Sequence, residues 1–420
     1  MGDPQGRRIC VVGLGYIGLP TAGFLAGKGF EVQGVDVNPA VVETINAGRN
    51  HIHEPELDRL VESAVRSGRL KAATRPAAAD IFILAVPTPF KDGHEPDLAY
   101  VEAATRAVAP RLVPGNLVIL ESTSPVGTTE QVARWLAEER PELAIADRTR
   151  HRAEPAGTIR VAHCPERVLP GHIIHELVAN DRIVGGIDAV STVAAADFYR
   201  QFVVGEVLLT DSRTAELAKL AENTFRDVNI ALANELSRIC DQLGIDVRAL
   251  IRLANHHPRV DILNPGPGVG GHCIAVDPWF VIHSAPEQSR LIRAAREVNT
   301  AQPETVVAKV RAEIARIRHP TIACFGLAYK ADIDDLRESP AVEVALRLAQ
   351  DGGGRILAVE PHIEALPTSL AAAGVRLCDA EEALAEADMV LGLVPHKVFR
   401  KLSRRTLQEK IVIDTCGLWR

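Results

Sequence analysis

A glycine-rich turn near the start of the chain, Gly13-Leu14-Gly15-Tyr16-Ile17-Gly18, restricts the fold more than any other segment. It follows directly on an apolar run, Arg8-Ile9-Cys10-Val11-Val12, and leads into a helical stretch at about 19–28 that Gly29 ends. A second strand at 31–36 then closes on the acidic Asp36. Glycines so spaced allow a tight turn, close approach of backbone to a pyrophosphate, and close packing of helix on sheet. The helix N-terminus adds amides and a partial positive charge. The glycine pattern alone is a weak signal. The strand before it, the helix after it and the carboxylate ending the next strand make it a dinucleotide fingerprint. Asp36 can accept hydrogen bonds from both hydroxyls of an adenosine ribose, whereas a 2′-phosphate would meet its charge. NAD is therefore expected, and NADP is not.

The same alternation of short apolar runs with helical patterns continues, which is the mark of βαβ units on a parallel sheet. Strands are expected at 80–86 and 117–121, both opening into Pro/Thr/Ser loops, with 158–162 and 182–185 completing the sheet. The Pro- and Arg-rich stretch 141–155 reads as a surface loop. A long helix is expected at about 212–243, with Asp211 or Ser212 as N-cap and Gly244 as its stop. Helical stretches at 247–255 and 288–299 flank a Pro/Gly-rich loop at 256–273. The C-terminal part echoes the beginning. It offers a strand at 321–325 ending in Gly326, a helix at 340–350 capped by Ser339, and a strand at 355–359 ending in Glu360. A second apolar run at 388–395 mirrors 80–87. Gly326-x-x-x-x-Lys330 lacks the fingerprint, so no second dinucleotide is assigned there. The expected class is α/β: two Rossmann-like doubly wound parallel-sheet domains, 1–205 and 306–420, joined by a central helical domain, 206–305, with a long interdomain helix.

Composition limits the setting. A hydrophobic content of 47% with 24% charged residues belongs to a soluble globular protein. The net charge of -7 argues against a nucleic-acid partner, so any anionic substrate must be held by local basic groups. Seven cysteines without a close Cys-x-x-Cys pair fit a reducing compartment. Residues 1–8 carry no apolar signal region, and no apolar run approaches the roughly 18 residues of a membrane span. A cytoplasmic protein without a membrane partner is expected.

Chemistry concentrates in Asn264-Pro265-Gly266-Pro267-Gly268-Val269-Gly270-Gly271-His272-Cys273. Neither helix nor strand can run through so many glycines and prolines. Such a loop can bring backbone amides to a ligand and leaves a thiol at its end. Cys10 and Cys324 in apolar strands, and Cys240 on the long helix, read as small buried hydrophobes. Cys164, beside His163 and Glu166 at a strand end, competes with Cys273, because reactivity goes to the thiol whose surroundings lower its pKa. On the long helix Lys219, Asn223 and Arg226 share one face within about 60° of arc. A solvated polar stripe is the bland reading. Against it, Asn is a poor helix former in an Ala-rich apolar neighbourhood, and an ammonium beside a thiol would stabilise thiolate and alkoxide. His51-x-His53-Glu54-x-Glu56 imitates metal ligands without completing a set, so no metal is expected. His256-His257 reads as a substrate or interface contact.

Further motifs identify the pattern: Val-Pro-Thr-Pro from Val86, Glu-Ser-Thr-Ser-Pro-Val-Gly from Glu121, Cys-Pro-Glu-Arg-Val-Leu-Pro-Gly from Cys164, Lys-Leu-Ala-Glu-Asn-Thr-Phe-Arg-Asp-Val-Asn from Lys219, Gly-Gly-His-Cys-Ile-Ala-Val-Asp-Pro from Gly270, and Asp-Asp-Leu-Arg-Glu-Ser-Pro from Asp334. In this order, and with the glycine turn, the chain resembles the UDP-glucose/GDP-mannose dehydrogenase family over nearly its whole length. The resemblance implies a four-electron oxidation of a sugar C6 alcohol to a carboxylate, serving surface polysaccharide precursors. Cys273 would be the nucleophile and Lys219 the oxyanion and acid/base partner. Asn223 would hold the sugar oxygen, Asp277 would orient Lys219 or a water, and Thr123 and Glu166 would assist proton transfer and hydrolysis. Asp277 with Pro278 also reads as a plain helix cap.

The resemblance assigns NAD to Gly13, Gly15, Tyr16, Ile17, Gly18, Asp36, Thr88 and Thr123, with Arg337 reaching it from the C-terminal domain. It assigns the UDP-sugar to Glu166, Arg167, Val168, Lys219, Asn223, Arg226, His257, Gly268, Tyr329 and Lys330, with Arg259 contributed in trans by the second subunit of a homodimer. UDP-glucose-specific members carry a second glutamate four residues after the first, where this chain has Pro170. That departure points to a UDP-N-acetylhexosamine, with UDP-N-acetyl-D-mannosamine the expected substrate. UDP-N-acetylglucosamine and UDP-glucose are the nearest alternatives. A two-electron hydroxyacid dehydrogenase, which needs no Cys273, and a nucleotide-sugar-binding regulator are the rivals of other classes.

Overall fold

Strand β1 (Arg8–Val12), buried beyond its first residue, pairs in parallel with β2 (Glu31–Val35) on one side and β4 (Ile81–Leu84) on the other. The computed structural model describes residues 6–52, 54–148, 156–169, 171–271, 273–402 and 404–419. The chain folds as two compact units, Met1–Ala221 and Glu222–Arg420. In the first, β3 (Leu70–Ala73), β5 (Leu117–Leu120), β6 (Arg160–His163), β7 (Arg182–Gly186) and β8 (Val207–Asp211) complete a sheet of order β3-β2-β1-β4-β5-β6-β7-β8. The order reverses at β1, which opens a crevice at the carboxyl ends of β1 and β4.

All neighbours in this sheet run parallel except β6 and β7, which are antiparallel. Two strands of this sheet escape the sequence reading. β3, Leu-Lys-Ala-Ala, is built mostly from weak strand formers. β8 is an edge strand with Leu208 and Leu209 exposed, so it lacks the alternation of a half-buried strand. Helices cover both faces. Under Gly18–Gly27 and Ala189–Tyr199 an edge-to-face aromatic cluster gathers Phe24, Phe30, Phe198, Tyr199 and Phe202. Under Ala99–Val108 and Thr128–Glu139 lie Val101, Val108, Val132 and Leu136. The loop expected at 141–155 is described as far as 148, where Ile145 bridges Ile159; residues 149–155 lie outside the described residues.

The long helix spans Ser212–Leu243. Asp211 starts it, its carboxylate accepting from the Thr214 amide at 3.1 Å and hydroxyl at 2.7 Å. Gly244, at φ +68, follows its end. One turn into it the buried Glu216 accepts from the Gly127 and Thr129 amides at 2.6 and 2.7 Å. It thereby caps the helix Thr128–Glu139.

The second unit carries a parallel sheet of β9 (Thr321–Phe325), β10 (Arg355–Val359), β11 (Arg376–Leu377), β12 (Met389–Gly392) and β13 (Ile411–Asp414), in the order β11-β10-β9-β12-β13. The echo of the first sheet extends to single hydrogen bonds. Gly13 and Gly326 sit at φ +92 and +94, and their amides donate to Val35 O and Val359 O at 2.8 and 2.9 Å. The next amides, of Leu14 and Leu327, donate to Asp36 and Glu360 at 3.1 and 2.7 Å. The two carboxylates then differ. Asp36 is half-buried, whereas Glu360 is buried and also takes the Ala328 amide and the buried His396 ring, each at 3.0 Å.

The helices preceding this sheet include Val247–Ala254, Asp277–Ser284, Arg290–Thr300 and Gln302–Ile314. The last was not expected; the chain turns at Ala301 and restarts with Pro303 in the new first turn. A buried polar network ties these helices to the long one. Arg296 donates to Asp227 Oδ1 at 2.6 Å, and Asn299 Nδ2 to the same oxygen at 2.8 Å. Asn234 Nδ2 donates to Asn299 Oδ1 at 3.0 Å, and Asn234 Oδ1 accepts the Gly266 amide at 2.9 Å.

Candidate active site

The glycines of the first turn separate by what surrounds them. A side chain at Gly13 or Gly18 would run into backbone, at Ala85 and at Gly13 respectively. One at Gly15 would meet no protein atom within 4 Å. Gly15 therefore leaves room for something other than protein, as a pyrophosphate on the N-terminus of Gly18–Gly27 requires. Tyr16 is exposed beside it, Ile17 is half-buried, and Asp36 is oriented by the Leu14 and Asn38 amides at 3.1 and 2.9 Å. The loops after β4 and β5 are stitched together next to this crevice. Thr88 donates to Thr123 O at 2.5 Å and Ser122 to Val86 O at 2.6 Å. The donor set suits NAD. Gly15→Val is expected to weaken NAD binding by at least roughly tenfold while moving stability by less than about 0.5 kcal/mol. Titration of bound NAD beside a denaturation curve checks both; equal loss in the two would show Gly15 to be a packing residue.

Cys273 is the exposed thiol among the chain's cysteines. Cys10, Cys164, Cys240 and Cys324 are buried. Burial pushes the competitor Cys164 up to about 12, which leaves it a neutral thiol. The loop before Cys273 is glycine-rich for packing reasons. A Cβ at Gly268 would lie 2.9 Å from Pro340 Cβ, at Gly270 2.8 Å from Pro340 Cδ, and at Gly271 2.8 Å from the Tyr329 ring. The carbonyl of Cys273 accepts the Val276 and Asp277 amides at 3.0 and 2.8 Å, which turns the chain into the helix Asp277–Ser284. Asp277 is buried, and its Oδ2 accepts Asn223 Nδ2 at 2.6 Å. The structure thus joins Asn223 to Asp277. Lys219 stands one turn earlier on the same helix, half-buried, and Arg226 is exposed one turn later.

Glu166 is buried and paired with the buried Arg182 at 2.8 Å, while its other oxygen accepts the Arg167 amide at 2.7 Å. Arg167 is half-buried, with Nη1 on Asp181 O at 3.1 Å, and Val168 packs on the first core. His257, Arg259 and Lys330 are exposed, and His257 Nδ1 accepts the Arg259 amide at 3.3 Å. Arg337 forks onto Asp335 of its own loop at 2.9 and 2.6 Å. Pro170, His53 and His272 lie outside the described residues.

The acidic motif at 51–56 has a structural use. Glu54 is buried and accepts the Gly171 and Ile173 amides at 2.7 and 2.8 Å, at the start of Ile173–Ala179. Asp332, His362 and His396 lie close enough to suggest a metal. Both His396 nitrogens are committed, Nδ1 to the Asp332 amide at 2.9 Å and Nε2 to Glu360. Sequence reasoning missed Glu121, Arg182 and Tyr199, which the fold brings together behind Glu166. Glu121 stood inside a quoted motif, but nothing in its spacing tied it to Arg182.

Residues 7–203 match the NAD binding domain of the UDP-glucose/GDP-mannose dehydrogenase family, 213–301 its central domain and 323–420 its UDP binding domain. The chain is 58% identical over 417 residues to an NDP-N-acetyl-D-galactosaminuronic acid dehydrogenase from Ralstonia nicotianae, covering 99% of this chain and 97% of that one. It is 52% identical over 420 residues to the UDP-N-acetyl-D-mannosamine dehydrogenase of Escherichia coli strain K12, covering 98% and 99%. The solved UDP-N-acetyl-mannosamine dehydrogenase Cap5O from S. aureus has the same fold at a TM-score of 0.86 and 41% identity, covering 98% of this chain and 96% of that one. No described helix is long and apolar enough to cross a membrane. The chain, with its NAD and UDP binding domains, belongs to the UDP-glucose/GDP-mannose dehydrogenase family.

Proposed function

We propose that this chain is an NAD-dependent 6-dehydrogenase of a UDP-N-acetylhexosamine, oxidising the C6 alcohol to a carboxylate, with UDP-N-acetyl-D-mannosamine as substrate. The observation that carries the reading is the exposed thiol of Cys273, held at the end of a loop whose glycines are fixed by packing. Gly13, Gly15, Gly18 and Asp36 would hold NAD, which when bound would supply the hydride acceptor for both oxidations. Cys273 sulfur adds to the C6 aldehyde to give a thiohemiacetal, which retains the aldehyde for its second oxidation to a thioester. The Lys219 ammonium offsets the negative oxygen formed at each tetrahedral stage. Asp277 fixes the Asn223 amide, which holds the sugar oxygen. Thr123 and Glu166 move protons, Glu166 in the hydrolysis of the thioester. Arg167, Arg226, His257 and Lys330 meet the UDP moiety locally, in a chain whose net charge is -7.

The sugar class is supported by relatives named for an N-acetylgalactosaminuronic acid, the C6-oxidised form of an N-acetylhexosamine, and for N-acetylmannosamine, itself an N-acetylhexosamine. A homodimer belongs to the reading. Phe225, Leu232 and Ile239, seven residues apart along the long helix, are 66%, 47% and 45% exposed, an apolar row suited to a second copy. Arg259 from that copy completes the substrate site. The three-part division at about 205 and 305 and a cytoplasmic location, where thiols stay reduced, complete the proposal, with the uronate product feeding surface polysaccharide precursors. Purified protein given UDP-N-acetyl-D-mannosamine, its galacto and gluco diastereomers, and UDP-glucose is expected to form two NADH per sugar consumed. A yield of one, with free aldehyde accumulating, would remove the mechanism. Binding across the panel without any NADH would favour a regulator.

A further inference from the structure

Behind Glu166 lies a second carboxylate for which the reaction outlined above has no role. Glu121, directly after β5, is 2% exposed; Arg182, at the start of β7, is 3% exposed; Tyr199, the last residue of its helix, is 1% exposed. The Tyr199 hydroxyl donates to Glu121 Oε1 at 2.7 Å, and the Arg182 guanidinium lies 5.5 Å from the Tyr199 ring centroid. Arg182 Nη1 donates to Glu166 Oε2 at 2.8 Å, and the Glu166 amide reaches Glu121 O at 3.4 Å. Glu121 Oε2 and Arg182 Nε have no hydrogen-bond partner among the described residues. Two buried carboxylates therefore share one guanidinium, and ionising both leaves an uncompensated negative charge.

We propose that Glu121 is a positioning residue for the hydrolytic half of the reaction: with Arg182 and Tyr199 it sets the charge against which the Glu166 carboxylate takes up a proton from water. The inference rests on the nucleotide-sugar dehydrogenase reading above. In the step concerned, the oxygen of water bonds to the thioester carbon and one water proton passes to Glu166. The carbon–sulfur bond breaks, Cys273 recovers its thiolate, and the product leaves as the carboxylate, releasing the second proton.

The groups facing Glu121 are Glu166 and Cys164 after β6, Arg182 on β7, and Tyr199. Burial holds Cys164 at about 12 and raises Tyr199 well above its ordinary value, so both stay neutral. Arg182 is raised further into its charged form by the surrounding acids, Glu166 foremost, against its own desolvation. Glu121 is pushed up to about 7, by burial first and by the charge of Glu166 second. It is thus the member of the cluster that changes charge near neutral pH. Below that pH the cluster holds one carboxylate against one guanidinium. Above it, the second charge strengthens Glu166 as a proton acceptor.

The test follows a single turnover of the full chain with UDP-N-acetyl-D-mannosamine and NAD at a series of pH values. Chain mass reports the thioester adduct, and absorbance reports NADH. Wild type is expected to hydrolyse the adduct faster as pH rises through about 7. Glu121→Gln, which keeps an oxygen for Tyr199, is expected to lose that rise and hydrolyse roughly tenfold slower at the alkaline end, with adduct formation unchanged. Tyr199→Phe removes a hydrogen bond to the ionised form and is expected to move the rise to higher pH. Retention of the wild-type profile in both variants, or equal slowing of adduct formation and hydrolysis, overturns the role. Absence of any adduct on Cys273 in wild type removes the underlying mechanism, and this role with it.

Discussion

Replacing Cys273 with alanine will lower the rate of uronate formation by roughly ten-thousand-fold without moving the unfolding transition. The thiol is exposed, so its loss opens no cavity. The effect is large because, in the proposed mechanism, the thiohemiacetal keeps the aldehyde in place for its second oxidation. Without the sulfur the first product can escape as a free aldehyde. Residual turnover should therefore end at one NADH per sugar, and Cys273→Ser should resemble Cys273→Ala, because an alcohol is a far weaker nucleophile than a thiolate near neutral pH. The measurement is a progress curve with product identification. Full activity in the alanine variant would favour a two-electron, hydroxyacid-type dehydrogenase that uses no covalent intermediate.

Arg296→Met should cost about 3–5 kcal/mol, the largest stability effect expected of a single polar substitution in the second unit. Arg296 and Asp227 are 5% and 0% exposed and meet at 2.6 Å. Burial pushes the Asp227 carboxyl upward while Arg296, Asn299 and their hydrogen bonds pull it back. Removing the guanidinium leaves a desolvated carboxylate with one amide partner. The loss should reach the loop that carries Cys273 as well. Asp227 orients Asn299, Asn299 orients Asn234, and Asn234 holds the Gly266 amide, seven residues before Cys273. Urea denaturation followed by a probe in the second unit gives the stability, and Asp227→Asn with Arg296→Met should lose less than the sum of the single losses. A single-variant loss below about 1 kcal/mol would show the pair to be exchangeable for ordinary packing.

The elements that could be read from sequence are those whose signals are local. The strand at 8–12, the helix at 212–243 and the helix at 340–350 agree with the observed Arg8–Val12, Ser212–Leu243 and Pro340–Gln350, because each is bounded by a glycine or a capping residue. Ser339 caps the last as expected, accepting the Ala341 amide. Asp277 does more than begin a helix, since its carboxylate is buried against Asn223. β8 and the antiparallel β6–β7 joint were not legible. Strand direction depends on where a loop lands, and an exposed edge strand carries no periodic pattern. The partners of Glu166 were illegible for a related reason. Glu121, Arg182 and Tyr199 come from three separate elements, and only the closed sheet makes them neighbours. Likewise nothing local marks Asp227 or Arg296 as buried, because helical charges usually face solvent.

The contact of Gly268, Gly270 and Gly271 with Tyr329 and Pro340 has a geometric consequence. The Cys273 sulfur hangs from a strap wedged into the same lobe that matches the UDP binding domain. In the proposed reaction the span from a UDP held by that lobe to the sulfur would be set by this packing, which would work as a ruler. Under the proposed function, a sugar whose C6 falls short of that mark would be rejected by length, before any group on its ring is inspected.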